Sequence, residues 1–153
     1  YIILVTIYYA LVNLSRQKFY LFMLKLTRKL EYALIALRHM QTKGELLSTT
    51  KEISDMYTIP QELLAKTLQQ MARLEYIDAV QGPHGGYRIH STISKISLTK
   101  FIEDLEGPMG MVDCSVASDC IQLNNCNIRQ PINRINDNIR SIFSSINLSE
   151  ITH

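Results

Sequence analysis

The apolar positions of this chain change period along its length, and the changes mark out its elements. Leu26, Leu30, Ala33, Leu34, Leu37 and Met40 recur at steps of three and four residues. That spacing is one buried helix face, and it predicts a helix over Thr27–Thr42 that stops near Gly44. Thr49-Thr50-Lys51-Glu52 has the capping-box pattern, in which a threonine hydroxyl and a glutamate carboxylate three residues on satisfy each other's free backbone donors. A short helix to Met56 follows, with Ile53 and Met56 facing inward. Pro60 then falls where a first helical turn tolerates it, and Leu63, Leu64, Thr67, Leu68, Met71 and Leu74 continue at period 3.6. Short helix, tight turn and longer helix make a helix-turn-helix.

Two short strand-like runs come next, Tyr76–Val80 and Tyr87–Ile89, joined by Gln81-Gly82-Pro83-His84-Gly85-Gly86. The glycines supply the backbone angles of a hairpin tip, so the pair reads as a wing. Helical spacing returns over Ser97–Glu106, where Leu98, Phe101, Ile102 and Leu105 form one core-facing stripe before Gly107-Pro108. Pro131 opens a long helix on which Ile132, Ile135, Ile139, Ile142 and Ile146 alternate by three and four. That is a heptad seam, widened by Phe143, with Asn133, Arg134, Asn136 and Asp137 on the other face. The expectation is a dimer-forming helix, the alternative being a helix that packs on its own winged domain. The fold class is therefore mainly α with a small β-hairpin wing: a winged helix-turn-helix plus a long C-terminal dimerisation helix.

With 153 residues and a mean hydropathy of zero, the chain suits one modest soluble core. Residues 23–96 are expected to form the winged helix-turn-helix and residues 97–153 the cysteine segment and dimerisation helix. Residues 1–22 form an apolar leader that fits neither part. Its uncharged run Tyr1–Ser15 falls short of the ~20 residues a membrane span needs and lacks a preceding positive region. It is expected to lie outside a domain that begins at Met23, with a membrane anchor as the alternative reading.

Charge divides the same way. Residues 23–100 carry 11 Lys and Arg against 7 Asp and Glu, whereas residues 101–153 carry 3 against 7. A basic first part suits a polyanionic partner. A winged helix sets its longer helix in the DNA major groove and its wing along the backbone or in the minor groove. On that reading Gln61, Glu62, Ala65 and Lys66 face DNA, with His84 and Arg88 on or beside the wing. Arg28 joins this set from the first helix. Against it stands a helix-turn-helix that binds protein, with Lys66 and Arg73 merely solvated.

Cys114, Cys120 and Cys126 are the only cysteines, spaced C-x5-C-x5-C among Asp113, Ser115, Ser118, Asp119, Asn124 and Asn125. An odd number of thiols closes no disulfide framework, and C-x2-C knuckles are absent. Soft thiolates with one position left over suit an iron–sulfur cluster, 2Fe–2S or 4Fe–4S, better than zinc. Inert thiols and a zinc-stabilised, non-redox DNA-binding module are the alternatives. A reduced cysteine cluster without an export signal points to the cytoplasm. No phosphate loop, nucleophile elbow or paired His and Cys supports an enzyme.

The run Met23–Ala33, the wing Gly82-Pro83-His84-Gly85-Gly86-Tyr87-Arg88, the ending Leu105-Glu106-Gly107-Pro108 and the three-cysteine segment together resemble the iron–sulfur winged-helix regulators of the IscR and NsrR type, over residues 23–153. Arg134–Arg140 and Ile146–Ile151 look most like the branch that regulates the SUF cluster-assembly operon. The resemblance implies a homodimeric bacterial transcription factor on a palindromic operator of double-stranded DNA, whose cluster reports on cluster supply, nitric oxide or oxidants. It also implies a departure, because IscR-type members carry a ligating histidine three residues after the last cysteine and this chain has Arg129 there. NsrR-type relatives have an acidic residue that reaches the partner subunit's cluster, and Glu31 matches it, which makes Glu31 the candidate fourth ligand. Asp113, Asp119, His39 or an exogenous ligand are the alternatives.

Overall fold

The computed structural model of the chain describes residues 26–110, 121–122 and 124–152. The leader 1–22 and the expected ligands Cys114 and Cys120, with Asp113 and Asp119, lie outside the described residues.

Helix α1 spans Arg28–Lys43. The Thr27 hydroxyl accepts from Leu30 N–H at its start, and Gly44, at φ 63°, ends it. Helix α2 spans Thr50–Tyr57 and has both halves of its capping box, Glu52 N–H to Thr49 Oγ1 at 3.1 Å and Thr49 N–H to Glu52 Oε2 at 3.4 Å. Helix α3, Gln61–Arg73, starts directly after Pro60. The three enclose Leu37, Met40, Ile53, Leu64, Leu68 and Met71, all fully buried. Burying one such side chain stabilises by about 1.5–3 kcal/mol, so this cluster sets the angle between α2 and α3.

Strands β1, Ile77–Val80, and β2, Gly86–Ile89, pair antiparallel with Asp78 opposite Arg88. The hairpin is fastened to the α1–α2 connection by two 2.8 Å bonds between the Ser48 and Tyr87 backbones. Gly86 has to be glycine there, because a Cβ would stand 2.8 Å from the Ser48 carbonyl oxygen.

Beyond a 3-10 turn at Ser91–Lys95 comes helix α4, Leu98–Glu106, capped by the Ser97 hydroxyl and ended by Gly107. Its four expected core residues are all buried, and Phe101 meets Tyr76 edge-on at 4.8 Å. The Tyr76 hydroxyl donates to Asp104 Oδ2 at 2.6 Å, and burial together with this carboxylate pushes its pKa well up. Helix α5, Arg129–Ser145, is followed by α6, Leu148–Thr152, whose Leu148 is fully buried. One core therefore runs across the expected 96/97 division.

Four expectations differ in detail. Met56 is 60% exposed, not inward, since an eight-residue helix lying across α3 buries only Ile53 and Ser54. Leu63 and Leu74 sit at the edges of the α3 stripe and stay partly exposed. Helix α5 begins at Arg129, which leaves Pro131 within the first turn, where its missing N–H has no helical acceptor to lose. Asn136, expected on the solvent face of α5, is buried. Among the described residues no helix is long and apolar enough to cross a membrane.

Candidate nucleic-acid interface and cysteine segment

Burying Leu64, Thr67, Leu68 and Met71 leaves the opposite side of α3 in solvent. Gln61, Glu62 and Lys66 are exposed there and Ala65 is half-buried, so the structure brings four of the expected DNA-facing residues together on α3. The face continues further than expected. Gln69 and Arg73 are exposed at the next helical steps, and they border an open cleft of about 740 Å³ whose other walls include Thr49 and Thr50 at the start of α2 and Gln81, Gly82, Gly85 and Gly86 of the wing. The spacing Glu62, Lys66, Gln69, Arg73 was visible in the sequence. What it lacked was the far wall, which only the folded hairpin supplies.

On the wing, His84 is exposed in the turn closed by Gly85 N–H to Gly82 O at 2.9 Å. Arg88 is exposed too, but its Nε donates to Asp78 Oδ2 at 3.4 Å across the strand pair. A solvent-exposed pair of this kind is worth about 0–1 kcal/mol, which is little hindrance to exchanging Asp78 for a phosphate.

The first turn of α1 is a different place. Arg28 Nη1 donates to Glu31 Oε2 at 2.8 Å, so a residue expected at DNA and one expected at the cluster are bound to each other. Thr27 Oγ1 donates to Glu106 Oε1 at 2.7 Å, and Lys29 Nζ donates to the Leu105 carbonyl. These contacts hold the start of α1 against the end of α4, where the chain leaves toward Cys114. On the other side of that exit, Glu103 accepts from the Arg140 guanidinium of α5 and from Met109 N–H at 3.2 Å. Arg140 first, then the Met109 amide, holds the Glu103 carboxyl below its ordinary value in spite of partial burial. Sequence reading missed Lys29, Glu103 and Arg140, because pairs 76 and 37 residues apart leave no local signal.

Cys126 is a free, half-buried thiol just ahead of α5. Among the described residues no group of three or more His, Cys, Asp and Glu is arranged to hold a metal ion. His39, one alternative ligand, is 5% exposed and engaged at both ring nitrogens, with Tyr57 Oη at 3.3 Å and Glu52 Oε1 at 3.1 Å. Lys43 Nζ donates to both Glu52 oxygens and lowers the Glu52 pKa against the opposing effect of burial. Glu52 thus caps α2 and joins it to α1, a structural role that occupies His39.

The chain matches the family described as Rrf2, iron-dependent transcriptional regulator, over residues 26–153. It is 28% identical over 113 residues to protein aau3 of Rhizobium meliloti (strain 1021), spanning 72% of this chain and 73% of that one. Among solved structures it is similar to CymR (YrzC), the global cysteine regulator of B. subtilis, with 24% identity and TM-score 0.67 over 85% of this chain and 97% of that one. It is similar also to T. potens IscR, with 19% identity and TM-score 0.64 over 84% and 85%.

Proposed function

Because the chain belongs to the Rrf2 family of transcriptional regulators, which bind DNA and are not enzymes, we propose that it is a cytoplasmic homodimer that grips a palindromic operator with α3 and the wing. The observation that carries this reading is the exposed α3 face of Gln61, Glu62, Ala65 and Lys66 beside a hairpin wing, with an unfilled isoleucine row on α5. Ile128, Ile135 and Ile142 are seven residues apart and 58%, 44% and 59% exposed, so a second copy of the same row is what would cover them. Two α3 helices related by a two-fold axis then meet successive major grooves.

The regulator takes its signal from an iron–sulfur cluster on Cys114, Cys120 and Cys126. Three thiolates are the right soft donors, and Glu31, on the first turn of α1, is the candidate for the fourth position, reaching the cluster of the partner subunit. Its pair with Arg28 has to open for it to bind, and opening an exposed pair costs little. When bound, the cluster supplies sensitivity to oxidants, to nitric oxide and to cluster supply. The chain's own part is to anchor both ends of the cysteine segment, through Lys29 and Glu103 at one end and α5 at the other.

Anaerobic purification with iron and sulfide counting, absorption spectra, and selection of bound duplexes from a random pool test this together. Iron and sulfide in equal amounts, a visible charge-transfer band and recovery of an inverted repeat are the expected results. A colourless protein with one zinc per chain and unchanged DNA binding would replace the cluster by a structural metal.

A further inference from the structure

The cleft between the second half of α3 and the wing has a chemistry of its own. The side chains of Arg73, Gln69, Thr49 and Thr50 and the backbone of Gly85 and Gly86 form its polar walls, and no carboxylate is among its lining residues. Arg73 is exposed, and its guanidinium makes only a long 3.4 Å contact to the Gln69 carbonyl through Nε. Among the described residues it pairs with no carboxylate, whereas Arg28, Arg88 and Arg140 each do. A guanidinium offers several donors in a planar fork that matches a phosphate, and it keeps its charge at any physiological pH. Gly85 is required by the hairpin itself, since a Cβ there would stand 2.3 Å from the Val80 carbonyl oxygen.

We propose that this cleft holds the sugar–phosphate backbone of one DNA strand, with Arg73 as the cation on the phosphate and Gln69, Thr49 and Thr50 as neutral donors. The site rests on the reading of α3 as the recognition helix and extends it. The first turns of α3 meet bases, while the last turn and the wing close on the strand beside them. Arg73 then contributes affinity without reading sequence.

The test measures binding of the full chain to its selected operator and to a scrambled duplex across a series of salt concentrations. Neutralising one phosphate contact removes about 0.9 from the slope of log K against log salt. Arg73→Gln is expected to lose about that much on both duplexes, weakening both by a similar factor. Arg73→Lys is expected to keep the slope, and Thr50→Val to weaken both duplexes without changing it. An unchanged slope in Arg73→Gln overturns the proposal, and so does a loss confined to the operator, which would make Arg73 a base reader. Displacement of DNA by millimolar inorganic phosphate beyond matched chloride would instead make the cleft a free-anion site. Arg73→Gln unfolding at wild-type temperature confirms that the comparison is sound; if it melts early, the uncharged Arg73→Met of similar length takes its place, and an unchanged slope there overturns the proposal. If the wild type binds no duplex, the DNA reading itself fails; if it binds and Arg73 is inert, only the cleft assignment does.

Discussion

Helices α3 and α5 are both amphipathic, and the chain treats them in opposite ways. The apolar face of α3 is spent inside the chain: Leu64, Leu68 and Met71 are fully buried against α1 and α2. On α5 the apolar row splits: Ile135 and Ile142 face out, whereas Phe143, and Ile146 just beyond the helix, pack against the core. Toward its own α4 it presents polar groups, with Arg140 on Glu103, the Arg140 carbonyl accepting from Thr99 Oγ1 at 3.2 Å, Ser144 Oγ donating to Thr99 at 3.0 Å, and Asn136 buried. Phe143 already has its burial while Ile135 and Ile142 stay in water, and on the proposed dimer those two would gain theirs from association. On that reading the burial of α3 belongs to folding and much of that of α5 to assembly.

The largest effect should come from the buried side of that contrast. Leu68→Ala leaves a cavity in the three-helix core and is expected to lower stability by about 2–5 kcal/mol in urea unfolding, whereas Ile142→Ala should change the stability of dilute protein hardly at all. Equal losses would erase the distinction. Ile135→Glu with Ile142→Glu sharpens it from the other side. The double variant should keep its circular dichroism and lose dimer in sedimentation, with operator affinity down at least about tenfold because two half-sites no longer bind as one unit. A folded variant that still sediments as a dimer would locate the interface elsewhere.

Smaller effects probe the polar seam. Arg140 holds the Glu103 carboxyl below its ordinary 4.5, so the unfolded chain takes up this proton first as acid is added. The contribution is complete above pH 4.5, declines below it, and is gone once the pH has passed the folded value. Glu103→Gln should flatten the stability profile in that acid range and leave neutral dimerisation in place, as thermal melts between pH 3 and 7 would report. The smallest expected effect is at the cap: Thr49→Ala should cost about 1 kcal/mol, since Glu52 N–H loses its acceptor. No measurable loss would mean that Lys43 and His39 hold Glu52 and α2 without it.

The same contrast governs what could be read from residues alone. Helices α1 to α4 were legible to within a residue or two because Thr27, Thr49, Pro60, Ser97, Gly44 and Gly107 mark their ends locally. The isoleucine row on α5 was legible as a face, but periodicity does not say what a face meets, and so Asn136 was placed on the wrong side. Met56 shows the same limit on a helix too short for its spacing to choose among neighbours. Of the candidate site, the α3 face was legible from the buried stripe opposite it. Its far wall and the Lys29 and Glu103 anchors depend on contacts between distant parts of the chain, which no local pattern encodes.

The start of α4 and the end of α5 are clasped at one point, where Leu98 N–H donates to Ile146 O and Leu148 N–H to Ile96 O, each at 2.8 Å. The bridge pairs Ser97 with Asn147, and the buried Leu148 follows at once. These two backbone bonds fix the end of α5 to the start of α4, and α4 is itself held in the core by Phe101 and Leu105. That clasp adjoins the 3-10 turn Ser91–Lys95, which begins where the wing ends at His90. A short hydrogen-bonded path therefore joins the end of α5 to the foot of the wing.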